Sequence, residues 1–174
     1  MMIPNRPHRA RAASPLFRNA WLVGALALLP RIQTRSVDQR QADPLAGRWQ
    51  LNVARTHYGG GAEPRTSETF DCEPVKQAIT CATRSVRANG RTVVARFTAV
   101  DDGTPAPVHG IADVDEIRLT RIDAAIADAT FSQHGKSVFA YRAVRSTNGN
   151  SLTIISVDPV SRAVLHSVVV YDAR

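Results

Sequence analysis

The chain has 174 residues, 44% of them hydrophobic and 21% charged, with a formal net charge of +7 and a pI near 10.4. That length predicts one domain once a leader is subtracted, since about 130 residues can bury roughly two thirds of the unfolded surface without a metal. The basicity invites a nucleic-acid partner, but residues 1–43 hold seven arginines against Asp38 and Asp43 while residues 44–174 hold 15 basic residues against 13 acidic ones. A nearly neutral, mixed surface argues against a polyanion.

Arginines from Arg6 to Arg18 precede an apolar run, Ala20 to Leu29, closed by Pro30 and Arg31. Ten residues at ~1.5 Å each are too few to span a bilayer as a helix. A basic region and a short apolar run form the layout of a secretory signal peptide. No clean Ala-x-Ala follows; Thr34-Arg35-Ser36 or Arg40-Gln41-Ala42 supplies the cleavage site. No cysteine is placed for a lipid anchor, and no adjacent arginines support a twin-arginine signal. Residues 1–43 thus read as signal peptide and linker, and 44–174 as the mature, exported domain with no membrane span of its own.

The domain opens with Gly47-Arg48-Trp49-Gln50-Leu51-Asn52-Val53. Apolar residues alternate with polar ones, the pattern of a strand with one face buried. Gly59-Gly60-Gly61 and Pro64 make a loop. No helix start follows, so a phosphate-cradling role is disfavoured.

Thr66 to Glu73 and Ala78 to Ser85 read as a hairpin. A two-residue turn at Lys76-Gln77 pairs Val75 with Ala78, Pro74 with Ile79, Glu73 with Thr80 and Cys72 with Cys81. Pro74 then sits where no ladder N–H is required. Neither turn residue favours a primed turn, and a four-residue loop would preserve the same opposition. Opposed cysteines in an exported chain read as a disulfide, and two thiols without a histidine cluster do not make a zinc site.

Asn89-Gly90 predicts a type I′ turn into a strand, Arg91 to Val100, with Val93, Ala95, Phe97 and Ala99 on one face. Asp101-Asp102-Gly103 turns the chain, and Thr104-Pro105-Ala106-Pro107 reads as irregular up to Gly110. From Val114 the alternation resumes, with Ile117 and Leu119 on one face. Ile122 is out of step, which predicts a bulge near Arg121. Ala127, Ala129 and Phe131 follow. His134-Gly135 turns into Lys136 to Ser146, Asn148-Gly149 into Leu152 to Val157, and Val164 to Tyr171 closes the chain. These late strands are apolar on both faces, so something should cover the outer one.

The count is about nine strands and no amphipathic helix. Consecutive strands with short turns predict an all-β, antiparallel up-and-down meander of 8–10 strands closed into a barrel; the alternative is a two-sheet sandwich.

Gly47-Arg48-Trp49 is similar to the Gly-x-Trp that opens lipocalins. With Leu119 to Asp123, Gly149 to Ile154 and Val169-Val170-Tyr171, residues 44–174 resemble uncharacterised exported bacterial proteins with lipocalin-like folds. The resemblance implies a lipocalin-like barrel with Trp49 buried at one end, and no reaction. The cysteine pair departs from that group, and alanines at Ala95, Ala99, Ala127 and Ala129 imply a roomy interior.

No motif indicates catalysis, a cofactor or a metal site. The histidines share no ligand spacing. His166 alternates with Val164, Val168 and Val170 and is expected to point inward, satisfied by a hydrogen bond. Asp113-Val114-Asp115-Glu116 lacks the glycine and distal glutamate of a calcium loop and reads as a polar lead-in to a strand.

Three functions follow. The first is a small apolar ligand held in the interior by Trp49, Val93, Phe97, Ile117, Leu119, Phe131 and His166; a cavity of a few hundred Å³ would favour it. The second is a cell-envelope interaction protein with a packed core, docking a protein partner through 136–171; an exposed apolar stripe over Tyr141 or Val169 would favour it. The third, a barrel-cavity enzyme or haem binder, needs a polar cluster around an inward His166.

Overall fold

The computed structural model describes residues 43–59 and 63–174. The expected leader, save its last residue Asp43, and Gly60 and Gly61 of the glycine loop lie outside them. Ten antiparallel strands form a closed up-and-down barrel: β1 Gly47–Leu51, β2 Arg65–Val75, β3 Ala78–Arg87, β4 Thr92–Val100, β5 Asp102–His109, β6 Glu116–Arg121, β7 Ile126–Gln133, β8 Lys136–Arg145, β9 Ser151–Val157 and β10 Val164–Ala173. Each strand pairs with the next, and β1 closes the ring on β10, with Trp49 opposite Ala173 and Leu51 opposite Tyr171. No helix among the described residues is long and apolar enough to cross a membrane.

The β2–β3 hairpin has the expected register, from Val75 opposite Ala78 to Cys72 opposite Cys81. The cysteines are joined, with Cα atoms 4.2 Å apart. Lys76 carries the turn at φ +57°.

β1 ends two residues earlier than its alternation predicts. Asn52 is the reason: its side-chain oxygen accepts the Arg55 N–H at 3.0 Å and winds Val53–Arg55 into a 3-10 turn, which competes with the ladder. The chain returns to β10 at His57, bridged to Val168. Asn52 N–H also donates to the Val170 carbonyl at 2.8 Å, and Val170 N–H to Thr56 Oγ1 at 3.0 Å. This segment thus carries on the pairing of the β1 edge along β10.

Four further expectations are corrected. The stretch expected to be irregular is β5. Val108 N–H donates to Asp115 on the β6 side, so Pro105 and Pro107, of opposite parity, face β4 without a donor. The β4–β5 ladder accordingly has only two residue pairs. No bulge occurs in β6 near Arg121; the irregularity there belongs to β5, between Asp102 and Pro105. β6 pairs regularly with β7 to its end, and Ile122, 52% exposed, takes the next outward position. The Asn89-Gly90 turn is a three-residue loop, Ala88 to Gly90, closed by Arg87 N–H on Arg91 O, with only Gly90 at positive φ. Likewise Asn148-Gly149 lies in a four-residue loop closed by Ser146 N–H on Ser151 O. Among the described residues the one turn with both central φ values positive is His134-Gly135, between Gln133 and Lys136.

Candidate functional site

The interior divides into a packed floor and an open cavity. At the floor, where β1 begins and β8 ends, Trp49 is 1% exposed. Its Nε1–H donates to the Leu45 carbonyl at 2.9 Å, and the Arg145 guanidinium sits 5.3 Å from its ring centroid, a cation–π distance. Arg145 also donates to the Ala46 carbonyl at 2.8 Å. Gly47 has φ +147°, and a Cβ there would come within 2.9 Å of the Trp49 ring. Arg121 pairs with Asp101 and, at 3.2 Å, with Asp43. Burial raises the Asp43 pKa against the opposing pull of the Leu45 N–H and Arg121. Leu45, Ile79, Ile117, Leu119 and Leu152 fill the space above.

Toward the other end, where β2 begins and β3 ends, lies a cavity of about 660 Å³, within the usual range for small-molecule sites, about 300–1,000 Å³. Its apolar wall includes Phe70, Phe97, Phe131, Tyr141, Ile154 and Val169. Phe131 stacks on Phe139 with centroids 4.4 Å apart and packs against Tyr141 at 5.4 Å. Burial raises the Tyr141 pKa, with the carboxylates of Glu68 and Asp43 adding to it, so this phenol stays neutral.

One wall is charged. Glu68 is 4% exposed; Arg65 Nη1 donates to both of its carboxylate oxygens at 2.8 and 3.0 Å, and the Tyr171 hydroxyl donates to Oε1 at 2.6 Å. Arg65 Nη1 also reaches the Tyr171 oxygen at 3.1 Å. Burial and then the Glu68 charge push the Tyr171 pKa well up, which keeps its proton available for donation. The pairing of Arg65 with Glu68 depends on a bulge. Arg65 is opposite Arg87 and Ser67 opposite Val86, so Thr66 is the extra residue. A bulge shifts the parity of what precedes it, and Arg65, otherwise outward, lines the cavity beside Glu68.

Of the expected ligand-contacting residues, Val93, Phe97 and Phe131 line this cavity together. Ile117 and Leu119 point inward but are wholly buried in the packed part, and Trp49 plugs the floor. His166 is not inward. It is exposed on the outer side, while its neighbours Leu165 and Ser167 line the cavity. The expectation fails because β10 is apolar on both faces: Val169 and Tyr171 line the cavity, and His166, of the opposite parity, faces outward in step with Val168 and Val170. Its backbone packs on Gly59, where a Cβ would meet the His166 carbonyl. Tyr141 and Val169, the proposed outer stripe, line the cavity instead.

The charged wall is the part that alternation left unassigned. Glu68 shares the inward face of Phe70 and Cys72, which is a usable signal; Arg65 carries none, because a bulge has no sequence mark here. Asp115 behaves as a lead-in group, accepting the His134 N–H at 3.0 Å. No cluster of three or more His, Cys, Asp or Glu side chains able to hold a metal occurs among the described residues. Compared with family models, with curated proteins and with solved structures, the chain matches none.

Proposed function

We propose that this chain is an exported, lipocalin-like barrel that holds a small, largely apolar ligand in the open half of its interior. The observation that carries the reading is the 660 Å³ cavity with its aromatic wall; a barrel serving only as a scaffold has no use for so large an interior void. The Cys72–Cys81 bridge fits an oxidising compartment. Uptake of a polarity-sensitive apolar dye tests the reading. Ala95 is a cavity-lining residue, so Ala95→Phe should abolish dye uptake while leaving the melting curve cooperative. Failure of the wild type to take up dye, or equal uptake by the variant, counts against an interior site. Native mass spectrometry of protein from its own host should show a co-purifying small molecule. N-terminal sequencing of the mature protein should show a start after Ser36 or Ala42; a start at Met1 or Met2 would overturn export.

A second reading, docking of a protein partner at the cell envelope, is favoured by one observation. Val138, Phe139, Val160, Val164 and Leu165 are exposed on the β8–β10 side of the cavity mouth. Val138→Asp with Val160→Asp should then dissolve a complex seen by size exclusion and leave dye uptake intact.

A further inference from the structure

Four buried side-chain nitrogen or oxygen atoms among the described residues lack a hydrogen-bond partner, and three belong to one corner of the cavity: Tyr58 Oη, Arg65 Nε and Arg87 Nε. Buried polar groups are nearly always satisfied, so three unmet ones in a single corner call for a ligand or water. Arg65 and Arg87 are direct partners across the β2–β3 ladder, and like charges so opposed are destabilising unless something lies between them. Tyr58 stacks under Arg65, with 5.9 Å from its ring centroid to the guanidinium carbon. Burial raises the Tyr58 pKa, with the Glu68 charge adding to it, while the charge of Arg65, its nearby backbone N–H and the charge of Arg87 pull the other way.

The local charge defines the missing group. Arg65 is matched by Glu68, and Arg87 and Arg91 share one carboxylate, Glu63, each at 3.7 Å. Three guanidiniums face two carboxylates, so one positive charge is left over. Below them the walls become aromatic. Both Arg87 and Cys81 line the cavity, and the six residue steps of strand from one to the other give a depth of about 20 Å. We infer that the ligand is a monocarboxylate with an extended hydrocarbon tail. Its carboxylate sits between Arg65 and Arg87 within reach of Tyr58, and its tail lies against Phe70, Phe97 and Phe131. A single negative charge completes the balance, which a doubly charged phosphate monoester would overshoot. This inference rests on the interior-binding reading above.

Comparing dodecanoate with dodecanol, which share a tail and differ in the head group, tests it. Wild-type protein should bind the acid at least about tenfold more tightly than the alcohol, the scale of one charge-assisted hydrogen bond. In Arg87→Gln that preference should fall to within about twofold, with the alcohol unaffected. Arg91→Gln, whose wild-type side chain is 65% exposed, should reduce it less and in the same direction; it serves if Arg87→Gln does not fold. Dodecanoate should also raise the wild-type Tm more than that of Arg87→Gln. Equal binding of acid and alcohol, or an undiminished preference in both variants, overturns the carboxylate site and leaves interior binding standing. No uptake of either ligand or of the dye overturns both.

Discussion

Glu68 is the most demanding residue in the interior, and replacing it by glutamine isolates its charge. The glutamine keeps the shape and one acceptor, but leaves the Arg65 guanidinium without a counter-charge in the cavity wall. Breaking a buried ion pair on one side typically costs about 3–5 kcal/mol. The Glu68 side chain is 4% exposed but that of Arg65 is 26% exposed, so some solvation survives and about 2–4 kcal/mol is the expected loss. For a domain of this size that corresponds to a fall in Tm on the order of 10 °C. Urea titration reports the loss directly, because Trp49 is the sole tryptophan in residues 44–174 and its emission should follow unfolding of the floor. The partner variant is Arg65→Met/Glu68→Leu/Tyr171→Phe, which removes every member of the network at once. Neither charge of the Arg65–Glu68 pair is then left without the other, and stability should return to within about 1–2 kcal/mol of wild type. A Glu68→Gln protein within about 0.5 kcal/mol of wild type, or a triple variant no better than the single one, would refute this account of the charged wall.

Replacing Cys72 and Cys81 together by alanine should cost about 2.5 kcal/mol from the short loop they close, and the Tm of the oxidised wild type should drop similarly on adding a reductant; an unchanged melting curve would show that the bridge adds nothing. Gly47→Ala forces a Cβ onto the Trp49 ring at a backbone angle that only glycine adopts readily, so we expect a loss of more than about 1 kcal/mol together with a red shift of Trp49 emission, and a silent substitution would mean that the plug tolerates rearrangement. Hydrogen bonds from Arg142, opposed by burial and supported by Arg162, lower the Asp128 pKa below its ordinary 3.8. Its contribution is therefore complete above that value and lost as pH falls through the folded-state pKa; Asp128→Asn should be less stable than wild type at neutral pH and converge with it as the pH falls through that lowered pKa, while a constant gap down the acid limb would contradict the shift.

Much of the scaffold could be read from alternation and turn chemistry. Pro74 and the two-residue gap at Lys76-Gln77 set a register that placed Cys72 opposite Cys81, since proline tolerates only one ladder parity. Val93, Phe97 and Phe131 were recognisable as interior residues because their strands alternate cleanly. What escaped has three physical causes. Pro105 and Pro107 suppress a strand signal, yet a strand can persist by pairing mainly through its other edge, as β5 does with β6. Inward facing is also illegible where alternation is broken or two-sided: the bulge at Thr66 brings Arg65 into the cavity unannounced, and on β10, apolar on both faces, Val169 and Tyr171 face inward and leave His166 outside with Val168 and Val170. Depth along the barrel is also silent in sequence. Ile117 and Phe131 have the same inward parity and are ladder partners, but only Phe131 reaches the cavity.

Closure of the ring has a consequence for how the chain reaches this state. Nine of the ten seams join consecutive strands, and only β1 against β10 is non-sequential. Hairpins can therefore add one after another as the chain emerges, each at small entropic cost, while the last seam must wait for the final strand. Until then the assembly is an open sheet with two unpaired edges. Trp49 lacks the cover of Arg145, and Glu68 lacks the Tyr171 hydroxyl. Ring closure is the expected slow step of folding, and a chain interrupted before β10 is a template that another copy could complete by lending its own last strand.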